Sequence, residues 1–173
     1  MAATATAIQA QQFIDKAKLA VLNDPMPGLF ASVAIAQAAL ESGFGLSGLS
    51  TKYQNYFGIK ASSGWKGKTS VMKTDEYENG KKVTINSGFR VYSSLQDSIA
   101  DRNNFLKVNS RYTKYGVFSA KTPEDQAKAL QTAGYATDPD YAAKIISIIN
   151  KYRLKETDEK VVVILAEKAK KKV

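Results

Sequence analysis

The chain contains neither cysteine nor histidine, and these two absences exclude most of the familiar routes to enzymatic catalysis. Without cysteine there are no disulfides, no thiol nucleophile and no cysteine-ligated zinc site. Without histidine there is no Ser-His-Asp or Cys-His triad, no histidine-ligated metal hydrolase and no imidazole acid–base chemistry. Any catalysis by this chain must therefore use carboxylates, tyrosine, lysine or hydroxyl groups.

Long apolar runs are also missing. No stretch reaches the ~18 residues that a transmembrane helix needs, so no membrane insertion is predicted. Residues 1–12 have neither a basic region nor an apolar core, so they do not form a secretory signal peptide. The 173 residues, 44% hydrophobic and 24% charged, suit a single compact globular domain.

The charge balance is strongly positive, with a formal net charge of +9 and a pI near 9.6. Such a charge favours a polyanionic partner, which means nucleic acid, an anionic membrane surface or an anionic cell wall. The alternative is a soluble domain that is basic without a polyanionic partner. Nucleic acid is disfavoured because the chain has no recognisable binding motif and no helix densely populated by Arg and Lys.

Hydrophobic periodicity and turn signals predict a mostly helical fold. One helix face begins at Gln11, and residues 29–40 are apolar nearly all round, which is typical of a helix at the centre of a domain. Residues 71–85 alternate as two strands around Asn79-Gly80, the preferred pair for a two-residue hairpin turn. Later helices are predicted from their start signals, Ser94, Thr122-Pro123 and Asp138-Pro139. The fold class is therefore α+β, mostly α, with a small antiparallel β-hairpin.

The chain divides into three predicted segments. Residues 1–9 are small and polar and are expected to be a flexible lead-in. Residues 10–154 contain the helices and the hairpin and form the domain. Residues 155–173 combine six lysines and four acidic residues with an apolar patch at 161–165. We expect this last segment to be a basic tail, a linker or a peripheral element.

Glu41 ends the apolar segment 29–40, so its side chain is expected at the rim of the core. Burial disfavours the ionised carboxylate, and the negative end of the helix dipole disfavours it further. Both effects favour a carboxyl group that stays protonated near neutral pH, as a general acid requires. Gly43 and Gly45 follow and leave room for a ligand. The alternative interpretation is a solvated residue at a helix end.

Four stretches, in order along the chain, resemble one enzyme family. Residues 36–45 (AQAALESGFG) are similar to the A-Q-x-x-x-E-S-G-x-G signature of the lysozyme-like glucosaminidases of glycoside hydrolase family 73. Residues 55–60 (NYFGIK) match the N-x-F-G-I-K segment of that family. Residues 74–77 (TDEY), followed by FRVY at 89–92, match its T-x-E-Y hairpin, and residues 134–141 (GYATDPDY) match its Y-A-T-D-P-x-Y block.

The resemblance covers residues 10–152 and implies a lysozyme-like fold that hydrolyses peptidoglycan glycan strands. The bond implied is the β-1,4 link from N-acetylglucosamine to N-acetylmuramic acid. By matching position, Glu41 is the general acid that protonates the leaving oxygen. The reasoning from helix position arrives at the same role independently.

Glu76 occupies the family's T-x-E-Y position and is the candidate general base. On a hairpin arm opposite Glu41 it would give the carboxylate separation of roughly 6.5–9.5 Å expected for an inverting hydrolase. In a rival mechanism the substrate's own 2-acetamido group is the nucleophile, and Tyr135 positions it. The structural alternative for Glu76 is a solvated charge opposite Lys81 or Lys82.

Aromatic and amide side chains near these motifs suit sugar binding, because sugar rings present apolar C–H faces together with hydroxyls. Tyr135 is the best candidate for direct substrate contact. Asn55 is a candidate for hydrogen bonding to an acetamido group. Tyr56, Phe57 and Tyr141 complete the predicted substrate-binding set, although Phe57 and Tyr56 also suit the hydrophobic core.

Two alternative functions are retained: an N-acetylmuramidase of the same fold, and a non-catalytic wall-binding module. A carboxylate–water mechanism needs no cofactor and no metal, so none is predicted. The expected partner is the glycan strand of the bacterial cell wall, and the expected oligomeric state is a monomer. The expected place of action is the wall, reached by secretion, by phage-induced lysis or on a virion.

Overall fold

The structure, a computed structural model, describes residues 3–173, apart from the side chains of Glu76 and Tyr77. Within that range it contains eight helices and one two-stranded antiparallel sheet. In chain order the elements are α1 (Ala7–Asn23), α2 (Ala31–Ser42), α3 (Gly48–Tyr53), β1 (Thr69–Glu78), β2 (Lys81–Arg90), α4 (Leu95–Val108), α5 (Ser110–Lys114), α6 (Pro123–Thr132), α7 (Tyr141–Lys151) and α8 (Lys155–Lys170). The predicted mostly helical α+β class is confirmed.

Helix α2 lies at the centre of the domain. Every residue from Ala31 to Ala39 is buried, because α1, α6, α7 and α8 pack around this helix. The helix ends at Gly43, whose φ of 56° is left-handed and suits a glycine cap. The prediction of a central helix over 29–40 is confirmed, with the observed helix displaced two residues towards the C-terminus.

Helix α1 begins at Ala7, within the segment 1–9 that was expected to be a flexible lead-in. Thr6 and Gln9 form a reciprocal capping box, in which each side chain accepts a hydrogen bond from the other's backbone N–H. Such a pair satisfies two backbone donors that a helix start otherwise leaves unpaired. The capping box therefore allows the helix to begin earlier than its apolar face indicates.

Strands β1 and β2, ten residues each, form an antiparallel hairpin around the turn at Asn79-Gly80. Both turn residues have positive φ, 50° and 75°, as a tight two-residue turn requires. The predicted hairpin is confirmed, and the strands extend beyond 71–85 at both ends. Burial in β2 is confined to its last residues, Ser87 and Phe89, so the base of the hairpin packs on the domain while the turn extends into solvent.

Residues 155–170, predicted to be a basic tail, a linker or a peripheral element, form a packed helix, α8. Val161 and Thr157 are buried on the face that meets α1 and α2. A carboxylate oxygen of Asp158 accepts a hydrogen bond of 2.8 Å from the backbone N–H of Ser32 at the start of α2. Within residues 3–173, no helix has the combination of length and apolarity needed to span a lipid bilayer.

Candidate active site

Glu41 lies in the last turn of α2, at the edge of the buried core. Its side chain reaches solvent, while the protein atoms crowded around its carboxyl group raise the pKa above the ordinary value of 4.5. A hydrogen bond from Tyr141 opposes that increase by stabilising the carboxylate. The direction of the pKa shift agrees with the sequence-based expectation.

The turn after Glu41 is held by the side chain of Ser42, which is buried. Its hydroxyl donates to the backbone carbonyl of Ala38 and accepts a 2.8 Å hydrogen bond from the backbone N–H of Gly45. These bonds connect the end of α2 to the loop that follows. They fix the direction in which the helix presents Glu41.

Tyr141, the first residue of α7, lies behind Glu41 and is buried. Its hydroxyl accepts a 2.8 Å hydrogen bond from the side-chain amide of Gln37, one turn before Glu41 on α2. The same hydroxyl hydrogen-bonds to the Glu41 carboxyl group. Tyr141 was predicted to bind substrate, and that role stays a prediction; in the structure its hydroxyl interacts with Gln37 and Glu41.

Tyr135 stacks on Tyr141, with ring centroids 5.8 Å apart and planes inclined by 20°. Its ring also contacts Phe105 and Tyr112, with centroids 6.5 and 6.1 Å away. Burial raises the pKa of the Tyr135 hydroxyl, and the nearby charge of Glu41 raises it further. The hydroxyl therefore stays protonated at neutral pH. Among the described residues, none forms a hydrogen bond with it.

A pocket of about 380 Å³ opens beside Tyr135. Its volume falls within the range of small-ligand sites, and its lining combines aromatic faces with cationic and hydroxyl groups. The lining residues are Phe57, Gly58, Ile59, Lys60, Ser62, Arg90, Phe105, Tyr112 and Tyr135. Such a lining can contact both the apolar face and the hydroxyls of a sugar ring.

Glu76 lies on β1 two residues before the end of the strand, where its backbone pairs with that of Val83. Its side chain is outside the described part of the structure, so its role as general base stays a prediction. The neighbouring Asp75 forms an ion pair of 2.9 Å with Lys82 across the hairpin. That contact and the hydrogen bond from Thr84 hold the pKa of Asp75 below its usual value.

Comparison of the sequence with protein families identifies the family of the chain. A family model described as a glucosaminidase, mannosyl-glycoprotein endo-beta-N-acetylglucosaminidase, matches residues 18–154. The chain belongs to the glucosaminidase family. This is the family, glycoside hydrolase family 73, that the four motifs indicated.

Two curated relatives and one solved structure illustrate the membership. Exo-glucosaminidase LytG of Bacillus subtilis is 45% identical over 131 residues, 74% of this chain and 46% of the relative. Peptidoglycan hydrolase FlgJ of Salmonella typhimurium is 43% identical over 144 residues, 81% of this chain and 44% of the relative. The chain thus spans somewhat less than half the length of these relatives.

The solved structure is the catalytic domain of the autolysin Auto from Listeria monocytogenes. It superimposes with a TM-score of 0.77 at 36% identity and covers 91% of this chain and 92% of that domain. The lysozyme-like fold class expected from the motifs is therefore confirmed.

Three other residues of the predicted site make contacts within the fold, and their binding of substrate stays a prediction. The Asn55 amide donates to the backbone carbonyls of Ile59 and Arg90 at 3.0 and 2.9 Å and accepts from the N–H of Ile59. Its contact with an acetamido group stays a prediction, one that requires these bonds to break. Tyr56 and Phe57 are each 4% exposed and belong to the core, and Phe57 also lines the pocket.

Sequence reasoning assigned no role to Gln37 and Arg102, which the structure places directly behind Tyr141. Both are completely buried, and Arg102 donates to the Gln37 side-chain oxygen. The sequence signal for such residues is a polar side chain within an otherwise apolar segment. Gln37 interrupts α2, the most apolar of the described helices, and Arg102 lies on the apolar face of α4.

No metal centre accompanies these groups in the described part of the chain. Among its side chains, no cluster of three or more acidic, histidine or cysteine residues has the proximity needed to hold a metal ion. The reactive and polar groups described around Glu41 are its own carboxyl group, the tyrosine hydroxyls and the Gln37 amide.

Proposed function

We propose that this chain hydrolyses the β-1,4 link between N-acetylglucosamine and N-acetylmuramic acid in peptidoglycan, with Glu41 as the general acid. The observation that carries the proposal is the carboxyl group of Glu41, which reaches solvent, has a raised pKa and receives a hydrogen bond from Tyr141. Similarity to a peptidoglycan hydrolase and to a glucosaminidase supports the choice of substrate.

In the proposed reaction the protonated Glu41 gives its proton to the glycosidic oxygen as the bond to the anomeric carbon breaks. A raised pKa keeps the acid protonated closer to neutral pH than an ordinary glutamic acid. The pocket beside Tyr135 holds the sugar by contact with its aromatic walls. Tyr135 itself contacts the substrate, because its hydroxyl lies near Glu41 without a described protein partner.

Two routes remain for attack on the anomeric carbon. In the first, Glu76 removes a proton from water, which attacks directly and inverts the configuration. In the second, the 2-acetamido oxygen of the substrate attacks first, and water then opens the resulting ring, so that two inversions give net retention. Tyr135 orients the acetamido group in this second route.

The proposed site of action is the bacterial cell wall, reached by secretion or by release from an infected cell, with the chain acting as a monomer. The net charge of +9 supports an anionic wall as the surface on which it works. Neither nucleic acid nor a membrane is part of the proposal.

The decisive experiment is turbidity loss of purified Gram-positive sacculi, wild type against Glu41→Gln. The wild type is expected to clear the suspension, and Glu41→Gln is expected to lose about 10²–10⁴-fold in rate, the usual contribution of a general acid. Mass analysis of the reduced fragments identifies the new reducing end. N-acetylglucosamine there supports the proposal, whereas muramic acid indicates an N-acetylmuramidase of the same fold.

A result in which both proteins bind sacculi but neither clears them overturns the proposal in favour of a binding module. Glu76→Gln separates the two routes of attack. A large loss of rate with an inverted product supports Glu76 as the base. Near wild-type turnover with a retained product removes Glu76 from the mechanism and supports the acetamido route.

A further inference from the structure

Arg102 on α4 is a cation at the centre of the core. It is fully buried, and no carboxylate among the described side chains acts on it. Its Nη1 donates to Asn103 at 2.9 Å, its Nε donates to the Gln37 side-chain oxygen at 3.0 Å, and its Nη2 donates to that same oxygen. Burial lowers the pKa of Arg102 to about 10, so the group remains charged at neutral pH. A buried cation is costly unless it is paired and hydrogen-bonded, and here hydrogen bonds to neutral side chains offset only part of that cost.

The hydrogen bonds of Arg102 have a fixed direction. A guanidinium can only donate, so the Gln37 atom that it contacts must be the amide oxygen. The amide nitrogen of Gln37 must then point the other way, where it donates to the Tyr141 hydroxyl at 2.8 Å. Because that hydroxyl oxygen accepts from Gln37, its proton is directed to its remaining partner, the Glu41 carboxyl group.

We propose that Arg102 is a positioning residue for Glu41: through Gln37 it fixes the Tyr141 hydroxyl as a donor to the Glu41 carboxyl group. The proposal rests on the proposed function in that it takes Glu41 to be the acid. Without the cation, the Gln37 amide is free to rotate by 180°, and its oxygen then accepts the Tyr141 proton. Arg102 thus selects one of the two orientations of the Gln37 amide, which have the same shape but exchange the oxygen and nitrogen atoms.

Among the described side chains, the ionisable groups that act on Glu41 come from two neighbouring parts of the chain. Tyr141 begins α7, and Tyr135 lies in the segment just before it. Burial raises the pKa of both hydroxyls, so neither ionises in the pH range in which Glu41 titrates. Arg102 lies behind both rings and keeps its charge throughout that range. A change in the basic limb of the pH profile can therefore be assigned to Glu41, because a general base such as Glu76 would set the acidic limb.

The sharpest test is Gln37→Glu, which keeps the shape of the side chain and removes its only N–H donors. The new carboxylate pairs with Arg102 and accepts the proton of Tyr141, which then presents only lone pairs to Glu41. Loss of a donor to the Glu41 carboxylate raises the pKa of Glu41. The basic limb of kcat/KM is expected to move up by about one pH unit, the size of one hydrogen bond to a charged group.

The added charge of Gln37→Glu raises the pKa of Glu41 as well, so the effect is measured in a double-mutant cycle. Tyr141→Phe alone removes the donor and is expected to give a similar upward shift. In the Tyr141→Phe background, Gln37→Glu is expected to add little, because the path through the hydroxyl is already broken. A full second shift in that background would show a direct charge effect and overturn the proposal.

Two further variants separate positioning from loss of stability. Leu106→Ala deletes a fully buried side chain on the same helix and is expected to lower Tm without moving the pH profile. Arg102→Lys keeps a buried cation that can donate to Gln37 and is expected to retain the wild-type profile better than Arg102→Met. A profile that Arg102→Met leaves unchanged would make Arg102 a structural cation only.

A measurement without substrate keeps this test independent of the proposed function. The carboxyl ¹³C resonance of Glu41, assigned by its absence in Glu41→Gln, reports the pKa directly. An upward shift in Gln37→Glu that is lost in the Tyr141→Phe background supports the relay even if the chain fails to clear sacculi. An unchanged Glu41 pKa overturns the relay even if the wild type is fully active.

Discussion

Gly45 and Gly43 follow Glu41 and perform different tasks. Sequence reasoning assigned both to ligand access. Around Gly43 the position of a β-carbon is open, with no heavy atom within 4 Å. At Gly45 a β-carbon would lie 2.8 Å from Cδ2 of Phe13, so the missing side chain makes room for the ring of Phe13. Gly45 therefore serves packing against Phe13 rather than ligand access, and sequence could not show this because the two residues are distant in the chain.

Gly45→Ala is expected to lower the free energy of unfolding by about 2–4 kcal/mol. The substitution adds a clash with Phe13 to the cost of an alanine at a φ of +80°. Gly58→Ala is the matched control, because its φ is +65° and a β-carbon there meets no neighbour. The control is expected to lose only about 1 kcal/mol. Equal losses in guanidinium unfolding would contradict the packing argument.

Two different helices contact the two ends of α2. The C-terminal end carries Glu41 and meets α7 through Tyr141. The N-terminal end has no side-chain cap from its own residue Phe30, and it is capped instead by Asp158 from α8. Helix α8 thus supplies a carboxylate to the positive end of the central helix, where it also interacts favourably with the helix dipole.

Asp158→Ala is expected to lower the free energy of unfolding by about 1–2 kcal/mol, the usual cost of losing a helix cap. Catalytic turnover is expected to change little, since Glu41 lies nine residues after the capped Ser32, about 14 Å along the helix. Glu159→Ala, at the exposed neighbouring position, is the control and is expected to stay within about 0.5 kcal/mol of wild type. Indistinguishable unfolding curves for the two variants would disprove the capping role.

The positive net charge is carried both by residues 1–154 and by residues 155–173. Residues 155–173 contribute +2, six lysines less four acidic residues, which leaves +7 of the +9 on the rest of the chain. Attraction between such a body and an anionic wall increases encounter at low salt. The interaction is screened as the Debye length falls from about 10 Å at 0.1 M to about 3 Å at 1 M salt.

Binding of Glu41→Gln protein to sacculi is therefore expected to fall several-fold between 0.05 and roughly 0.5 M salt. The inactive variant is used so that hydrolysis does not consume the surface. Turnover of a short soluble glycan fragment by the wild type is expected to change much less, because its proposed binding site is the aromatic pocket. Sedimentation of the sacculi measures the bound fraction. A bound fraction insensitive to salt would exclude the electrostatic contribution.

Features that depend on neighbours in the chain were predictable. The Asn79-Gly80 turn, the glycine that ends α2, and the helix starts after Ser94 and Thr122 all rest on bonds that span a few residues. Hydrophobic periodicity likewise identified the central helix, and the position of Glu41 at its end indicated a raised pKa. Local rules suffice here because the interacting groups lie within a turn or two of one another.

The tertiary structure alone decided which polar groups meet inside the core. Arg102 and Gln37 are 65 positions apart, Gln37 and Tyr141 are 104 apart, and Asp158 reaches Ser32 across 126 positions. No periodic pattern records such partners, because the pairing depends on how complete helices pack. Buried donors and acceptors are costly when left unpaired, so the folded chain must supply partners from wherever they lie in sequence.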